Sequence, residues 1–131
     1  MALCTFDKQT STLEYSGANS PVYIISDGKL NIIKASKLTV GSMEGEKIGP
    51  PINHSVQLQK GDCFYIFSDG YSDQFGGKDD KKFMTSRFQE LLVSVCHLSM
   101  SQQQHTIQQT FKNWQGINEP VDDVLILGIK I

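Results

Sequence analysis

The hydrophobic and polar positions along the chain keep a short period first and a helical period later. In the first third, brief apolar runs are separated by turn residues. Leu3 to Asp7 begins one strand and Thr12 to Tyr15 the next, with Ser16-Gly17-Ala18-Asn19 as a small-residue turn before Pro21. Val22-Tyr23-Ile24-Ile25 leads through Ser26-Asp27-Gly28-Lys29 into Leu30 to Lys34. An Asp-Gly pair between apolar runs predicts a tight hairpin, because both central residues of a type I′ turn need positive φ. Residues 36–55 contain Gly41, Gly45, Gly49, Pro50 and Pro51, and read as an irregular connection with a short strand near Leu38–Val40. Ser55 to Leu58 alternates like a strand, and Lys60-Gly61-Asp62 turns the chain. The continuous apolar run Cys63-Phe64-Tyr65-Ile66-Phe67 then fits a strand buried on both faces.

From Ser86 the period changes. Phe88, Leu91, Leu92, Val95 and Leu98 fall on one helical face, and Ser86 with Gln89 three residues on predicts a capping box. A second helix starts at Ser99 or Ser101, carries Ile107, Phe111 and Trp114 inward and stops at Gly116. Val121 to Ile131 closes the chain as a strand, with Val124, Ile126, Gly128 and Ile129 in an apolar setting. Several strands, two helices and a last strand predict an α+β fold, with antiparallel sheet and both helices packed on one face.

Composition narrows the class without changing the picture. A chain of 131 residues, 39% hydrophobic and 20% charged, fits one soluble globular domain. The net charge of −2 offers no basic stripe for a nucleic-acid backbone. No apolar run reaches the roughly 18 residues of a membrane span. The N-terminus shows no basic region followed by an apolar stretch, so the expected location is cytoplasmic. Cys4, Cys63 and Cys96 are widely spaced, and His54, His97 and His105 lack ligand spacing beside them. Reduced thiols, rather than disulfides or structural zinc, are expected.

Two places could carry chemistry. In Phe64-Tyr65-Ile66-Phe67-Ser68-Asp69-Gly70 an apolar strand ends in an acid followed by glycine. Asp69 there would have rigid support and an open end, Gly70 would let backbone come close, and a hard divalent cation takes such oxygen ligands. An ordinary Asp-Gly turn would look the same. Asp122-Asp123 stands at the mouth of the last strand, where adjacent acids call for solvent, a helix N-terminus or a cation. Only one of the two can face the same side as Asp69, because side chains alternate along a strand. Asp69-Gly70-Tyr71-Ser72-Asp73 lacks the ligand ladder of an EF-hand, and Gly76-Gly77-Lys78-Asp79 lacks the phosphate-binding GxxxxGK[ST] pattern. No nucleophile elbow is present. Asp79-Asp80-Lys81-Lys82 reads as a mobile, solvated loop.

Together these segments resemble a known family. Leu13-Glu14-Tyr15-Ser16-Gly17-Ala18-Asn19-Ser20-Pro21 is similar to the "leyaGAn.P" segment of SpoIIE-like phosphatases, a bacterial branch of the metal-dependent PPM protein phosphatases. Gly61-Asp62 through Ser68-Asp69-Gly70-Tyr71-Ser72-Asp73 resembles the "GD.l.l.(S/T)DG..(D/E)" motif, and Val121-Asp122-Asp123-Val124 the closing "DD(I/V)T" motif. Asp73-Gln74-Phe75-Gly76-Gly77 and Lys82-Phe83-Met84 look like a subgroup linked to sensor domains. The resemblance implies a partial PPM sandwich and a protein serine/threonine phosphatase that uses two Mn²⁺ or Mg²⁺ ions. Water activated by the cations would attack the phosphoserine or phosphothreonine phosphorus with no phospho-enzyme. Carried over position by position, Asp69 and Asp122 are metal ligands, Asp123 and Gly70 are supporting, and Asp73 matches an acid of open role. The implied partners are a phosphorylated anti-anti-sigma-type or other regulatory protein and an upstream sensor domain, the setting of signal transduction.

The sequence departs from the family pattern twice. Leu125 stands where the family has Thr or Ser, which would remove a hydrogen bond behind the acids. The family's earlier "D.......GHG"-type segments, which bring a bridging aspartate and a glycine carbonyl ligand, have no counterpart before residue 20. Residues 1–131 therefore read as the C-terminal portion of one SpoIIE-like phosphatase domain, with weak metal binding and little or no turnover alone. Two other readings compete: a degenerate phosphatase-like module that binds a partner without catalysis, and a metal-free structural β-domain. A sheet edge and surface that the absent portion would cover favour self-association. Light scattering should show association rising with concentration, and a clean monomer at high concentration would count against it.

Overall fold

The computed structural model describes residues 1–37 and 51–131, so the strand expected near Leu38–Val40 lies outside the described residues. In chain order the elements are β1 (Ala2–Asp7), β2 (Thr12–Gly17), β3 (Val22–Ser26), β4 (Lys29–Ile33), β5 (Asn53–Gln57) and β6 (Cys63–Phe67). They are followed by α1 (Gly70–Asp73), β7 (Phe75–Gly76), β8 (Lys81–Lys82), α2 (Thr85–Val95), α3 (Met100–Gln115) and β9 (Ile126–Lys130). Between β3 and β4, Asp27 and Gly28 have φ of 48° and 71°, the two positive values that the Asp-Gly signal predicts.

Among the described residues, β1-β2-β5 form one antiparallel sheet and β4-β3-β6-β9 another. Strand alternation divides the core in two. Val22 and Ile24 of β3 and Phe64 of β6 meet Leu13, Tyr15 and Leu58 between the sheets. Tyr23, Ile25, Cys63 and Tyr65 face the other way, onto Phe88, Leu92, Val95 and Ile107 of the helices. The second sheet is thus a middle layer, which is why β3 and the first part of β6 read as continuous apolar runs. Each large side chain buried there contributes on the order of 1.5–3 kcal/mol. Both helices lie on one face, as the pattern predicts.

Several boundaries differ from expectation. Helix α2 starts at Thr85, and Met84 occupies the N-cap position with φ of 78° and no side-chain cap. Gln89 does not complete a capping box: its amide donates instead to the Tyr23 hydroxyl at 3.0 Å, so tertiary contact outcompetes the local cap. The box forms on α3, where Ser99 caps Gln102 and Gln102 reaches back. Helix α2 ends at Val95, leaving Leu98 in the following turn, where it still packs on the core. The last strand covers only Ile126–Lys130, and Val124 and Ile129, at 41% and 38% exposed, are not in an apolar setting. Lys81 and Lys82 pair with β7 in a small hairpin rather than forming a free loop, although Asp79 and Asp80 at its tip are exposed. Among the described residues no helix is long and apolar enough to cross a membrane.

The turn between α2 and α3 is held from both sides. Gln103 is buried, accepts from the Tyr65 hydroxyl at 2.6 Å and donates to the Cys96 and Leu98 carbonyls at 3.3 and 3.1 Å. Lys130 of β9 donates to the carbonyls of Cys96, His97 and Leu98 at 3.0, 3.2 and 2.9 Å. Burial pushes the Tyr65 hydroxyl far above its ordinary range, so it stays a donor, and burial likewise raises the Cys96 thiol. The three cysteines are free. Gln103→Leu strands the buried Tyr65 hydroxyl, while Lys130 still donates to the Cys96 and Leu98 carbonyls, and should lower stability by about 1–3 kcal/mol in urea unfolding.

Candidate metal centre at the end of the middle sheet

Strands β6 and β9 run antiparallel with Phe67 opposite Ile126. Ser68-Asp69-Gly70 therefore leaves the sheet at the end where residues 122–125 enter it. Ser68 fastens the two segments. Its N–H donates to the Leu125 carbonyl at 2.9 Å, and its hydroxyl donates to the Asp123 carbonyl at 2.7 Å and accepts from the Leu125 N–H at 2.9 Å. Gly70, buried at the start of α1, completes the closure. A Cβ there would fall 2.4 Å from the Asp123 carbonyl oxygen and 3.2 Å from that of Asp122, so only glycine admits this approach.

Helix α1 is one turn anchored in the core. The Asp73 N–H and the Ser72 hydroxyl both donate to the Asp69 carbonyl at 3.0 Å. Beneath them Tyr71 is buried among Phe83, Phe88 and Phe111 at ring separations of 5.1, 4.9 and 4.9 Å, and its hydroxyl donates to the Ile107 carbonyl at 2.9 Å. Desolvation pushes that hydroxyl well above its usual range, keeping it a neutral donor. Gln74, fully buried, donates to the Glu119 carbonyl at 3.0 Å and accepts from the Val121 N–H at 3.2 Å. It holds the chain just before Asp122-Asp123, and is itself fixed by Trp114 Nε1 and the Phe83 N–H on its carbonyl.

The result is a rigid floor with exposed acids above it. Asp69, Asp122 and Asp123 are exposed, and Asp122 Oδ1 accepts from the Asp123 N–H at 2.7 Å, which orients its carboxylate. Both acids precede β9, so strand alternation does not separate them, contrary to the sequence-based expectation: the Ser68 and Gly70 contacts set their backbone instead. Asp73 turns to Lys82 at 3.2 Å, a half-exposed ion pair of little energetic weight. Leu125 is 63% exposed, and its N–H is already taken by Ser68. Exposed carboxylates on fixed backbone suit a hard divalent cation, and the residues fit one wall of such a site. Among the described residues no group of three or more His, Cys, Asp or Glu side chains assembles into a full cage.

Sequence reasoning singled out Asp69, Gly70, Asp73, Asp122 and Asp123, and the fold brings Asp69-Gly70 and Asp122-Asp123 together while pairing Asp73 elsewhere. It missed Ser68 and Gln74. The signal for Ser68 is a hydroxyl directly after an apolar strand, and for Gln74 an uncharged amide among exposed acids and glycines. Gly70→Ala should displace the 122–125 backbone and cost about 1–3 kcal/mol, and Ser68→Ala should cost about 1–2 kcal/mol through two lost hydrogen bonds. Amide resonances of residues 122–125 should move in both variants, and stationary resonances would contradict the clip.

No curated protein matches the chain. The family described as Stage II sporulation protein E (SpoIIE) matches residues 1–131. The solved SiaA-PP2C domain of Pseudomonas aeruginosa is similar at 26% identity and a TM-score of 0.87, over 99% of this chain and 50% of that one. The phosphatase domain of the cell fate determinant SpoIIE from Bacillus subtilis, presoaked with manganese, gives 16% identity and a TM-score of 0.72 over 100% of this chain and 56% of that one. The Mycobacterium tuberculosis serine/threonine phosphatase PstP/Ppp shares the fold at 16% identity and a TM-score of 0.50, over 94% of this chain and 55% of that one. The chain spans about half the length of the solved chains it matches. This chain belongs to the SpoIIE family, and its α+β architecture is that of PP2C-type phosphatase domains.

Proposed function

We propose that residues 1–131 are the later portion of a PPM-type serine/threonine protein phosphatase domain, in which Asp69 and Asp122 hold Mn²⁺ or Mg²⁺. One observation carries this reading: the backbone of Asp122-Asp123 is clamped on Gly70, beside Asp69, by contacts that only glycine at position 70 and a hydroxyl at position 68 permit. The substrate is a phosphoserine or phosphothreonine on a regulatory protein of the anti-anti-sigma type, acted on in a cytoplasmic signalling chain headed by a sensor domain. When bound, the cations supply an activated water and neutralise charge on the phosphoryl oxygens.

The chain's own residues do the positioning. Asp69 presents its carboxylate from the end of a strand packed on two cores. Asp122 presents a second, oriented by the Asp123 N–H. Asp123 lends its carbonyl to Ser68, Gly70 gives the room, and Asp73 holds Lys82 beside the site. Two carboxylate segments without a bridging ligand bind a cation weakly, so the isolated chain turns over little. The second reading, a partner-binding module without catalysis, is favoured by Leu125, whose exposed side chain supports nothing behind the acids.

Calorimetric titration with Mn²⁺ should give weak binding, with a dissociation constant on the order of 1 mM, and Asp69→Asn should abolish the heat. Phosphate release from a phosphoserine protein should stay near the blank. Vigorous Mn²⁺-dependent release by these 131 residues would sink the claim of weak activity, and the absence of any Mn²⁺ heat in the wild type would sink the metal assignment in favour of the binding module.

A further inference from the structure

We infer that Lys82, which the β7–β8 hairpin sets one helical turn from Asp69, is a substrate-binding residue whose ammonium takes an oxygen of the phosphoryl group. The inference rests on the phosphatase reading above and adds to it a contact made by the chain itself. The Lys82 ammonium lies 3.2 Å from Asp73 Oδ1 and 6.0 Å from the centre of the Phe75 ring. Asp73 is one turn beyond Asp69, and its N–H donates to the Asp69 carbonyl at 3.0 Å. A carboxylate on one side and an aromatic ring on another orient the ammonium and still leave it half-exposed. Asp73 accepts one of its three N–H groups, so two remain for a ligand.

A pair this exposed contributes little to stability, so stability does not account for the apparatus that places it. The segments 73–77 and 82–84, which stand out in the sequence, fold into one unit around that ammonium. Phe75 pairs with Lys82 and Gly76 with Lys81. The Gly77 N–H donates to the Trp114 carbonyl at 2.9 Å, and a Cβ on Gly76 would collide with that same carbonyl, so the hairpin sits directly on the end of α3. At the tip, Asn118 Nδ2 donates to Asp80 Oδ1 at 2.7 Å. The Phe83 N–H donates to the Gln74 carbonyl and the Met84 N–H to the Ser72 carbonyl, both at 2.9 Å. Phe83 itself is buried against Tyr71 and Trp114. The backbone that carries Lys82 is thereby stitched to α1, the turn that starts at the acids.

The neighbouring cations are differently placed. Lys81 pairs with Asp79 at 3.6 Å, Arg87 lies over the Trp114 ring at 4.6 Å, and Lys78 stands with Trp114 and Gly116 by the end of α3. Lys82 is the one whose anchor is joined to the Asp69 backbone. A phosphoryl group drawn to cations on Asp69 and Asp122 keeps oxygens free, and a fixed ammonium beside it adds a charge-assisted hydrogen bond. Lysine binds phosphate as a point charge, so the contact needs position more than a particular donor geometry.

The probe is N-acetylphosphoserine amide, a phosphoserine with no neighbouring side chains. It is added, with and without Mg²⁺, to the 131-residue chain carrying ¹³C at lysine Cε. The Lys82 Cε–Hε signal, assigned by its loss in Lys82→Arg, should move with the probe, and Mg²⁺ should bring the midpoint to lower probe concentration. Followed at the amides of residues 69–73, Lys82→Met should raise the midpoint by about fivefold. Lys82→Arg should restore most of the affinity, and Lys81→Met should leave it unchanged. A stationary Lys82 signal, or a Lys82→Met midpoint equal to that of the wild type, overturns the inference. An equal response to N-acetylglutamate amide overturns it too, because Lys82 would then read an acidic side chain rather than the phosphoryl group. The amides of Asp69 and Asp122 report the metal separately. If Mg²⁺ moves neither while Lys82 still answers the probe, the metal assignment falls alone. If Mg²⁺ moves both and Lys82 stays still, the Lys82 contact falls alone.

Discussion

Everything at the candidate site depends on β6 being packed on both faces. Phe64 is locked between the sheets while Cys63 and Tyr65 are locked under the helices, so the strand can neither tilt nor slip by one residue without turning each set into the wrong core. That fixed register delivers Ser68, Asp69 and Gly70 to one end of the middle sheet. It also fixes β9, because Phe67 lies opposite Ile126, and with it the approach of Asp122-Asp123. The acids are exposed and contribute little to stability. The cost of placing them is carried by the buried strand and by polar groups buried for the purpose, Gln74 and Gln103.

Those two glutamines show how the helical layer is coupled to the site. Gln103 joins Tyr65 of β6 to the turn between α2 and α3. Gln74 joins the end of α1 to the segment entering the Asp122-Asp123 loop, and Trp114 of α3 closes on the Gln74 carbonyl. Each amide is fully used, so neither can be traded for an apolar side chain without stranding a partner. Movement of α3 would therefore be felt at both ends of β6.

Much of the fold was legible in the sequence because its strongest patterns are local. The Asp27-Gly28 hairpin follows from positive φ alone, the β6 run from continuous hydrophobicity, and α3 from its spacing and the stop at Gly116. What was not legible depends on contacts far apart in the chain. Gln89 sits where a cap is expected but is drawn to Tyr23, 66 residues away. Asp122 and Asp123 read as the mouth of a strand, yet their backbone is claimed by Ser68 and Gly70, more than 50 residues earlier, and the strand starts later. Of the site, the acids were visible as charges out of place. The residues that aim them were not, because a serine after a strand and a glutamine among acids carry no periodic signal.

Charge placement gives the site its direction. The ion pairs among the described residues, Lys81 with Asp79 and Lys82 with Asp73, lie on and beside the β7–β8 hairpin. They neutralise the acids there. Asp69, Asp122 and Asp123 carry exposed side chains on two backbone segments that meet at Gly70, although like charges repel and a mobile loop would move away to relieve them. The loop does not drift, because Ser68 makes three hydrogen bonds to it and Gly70 leaves it the room to close.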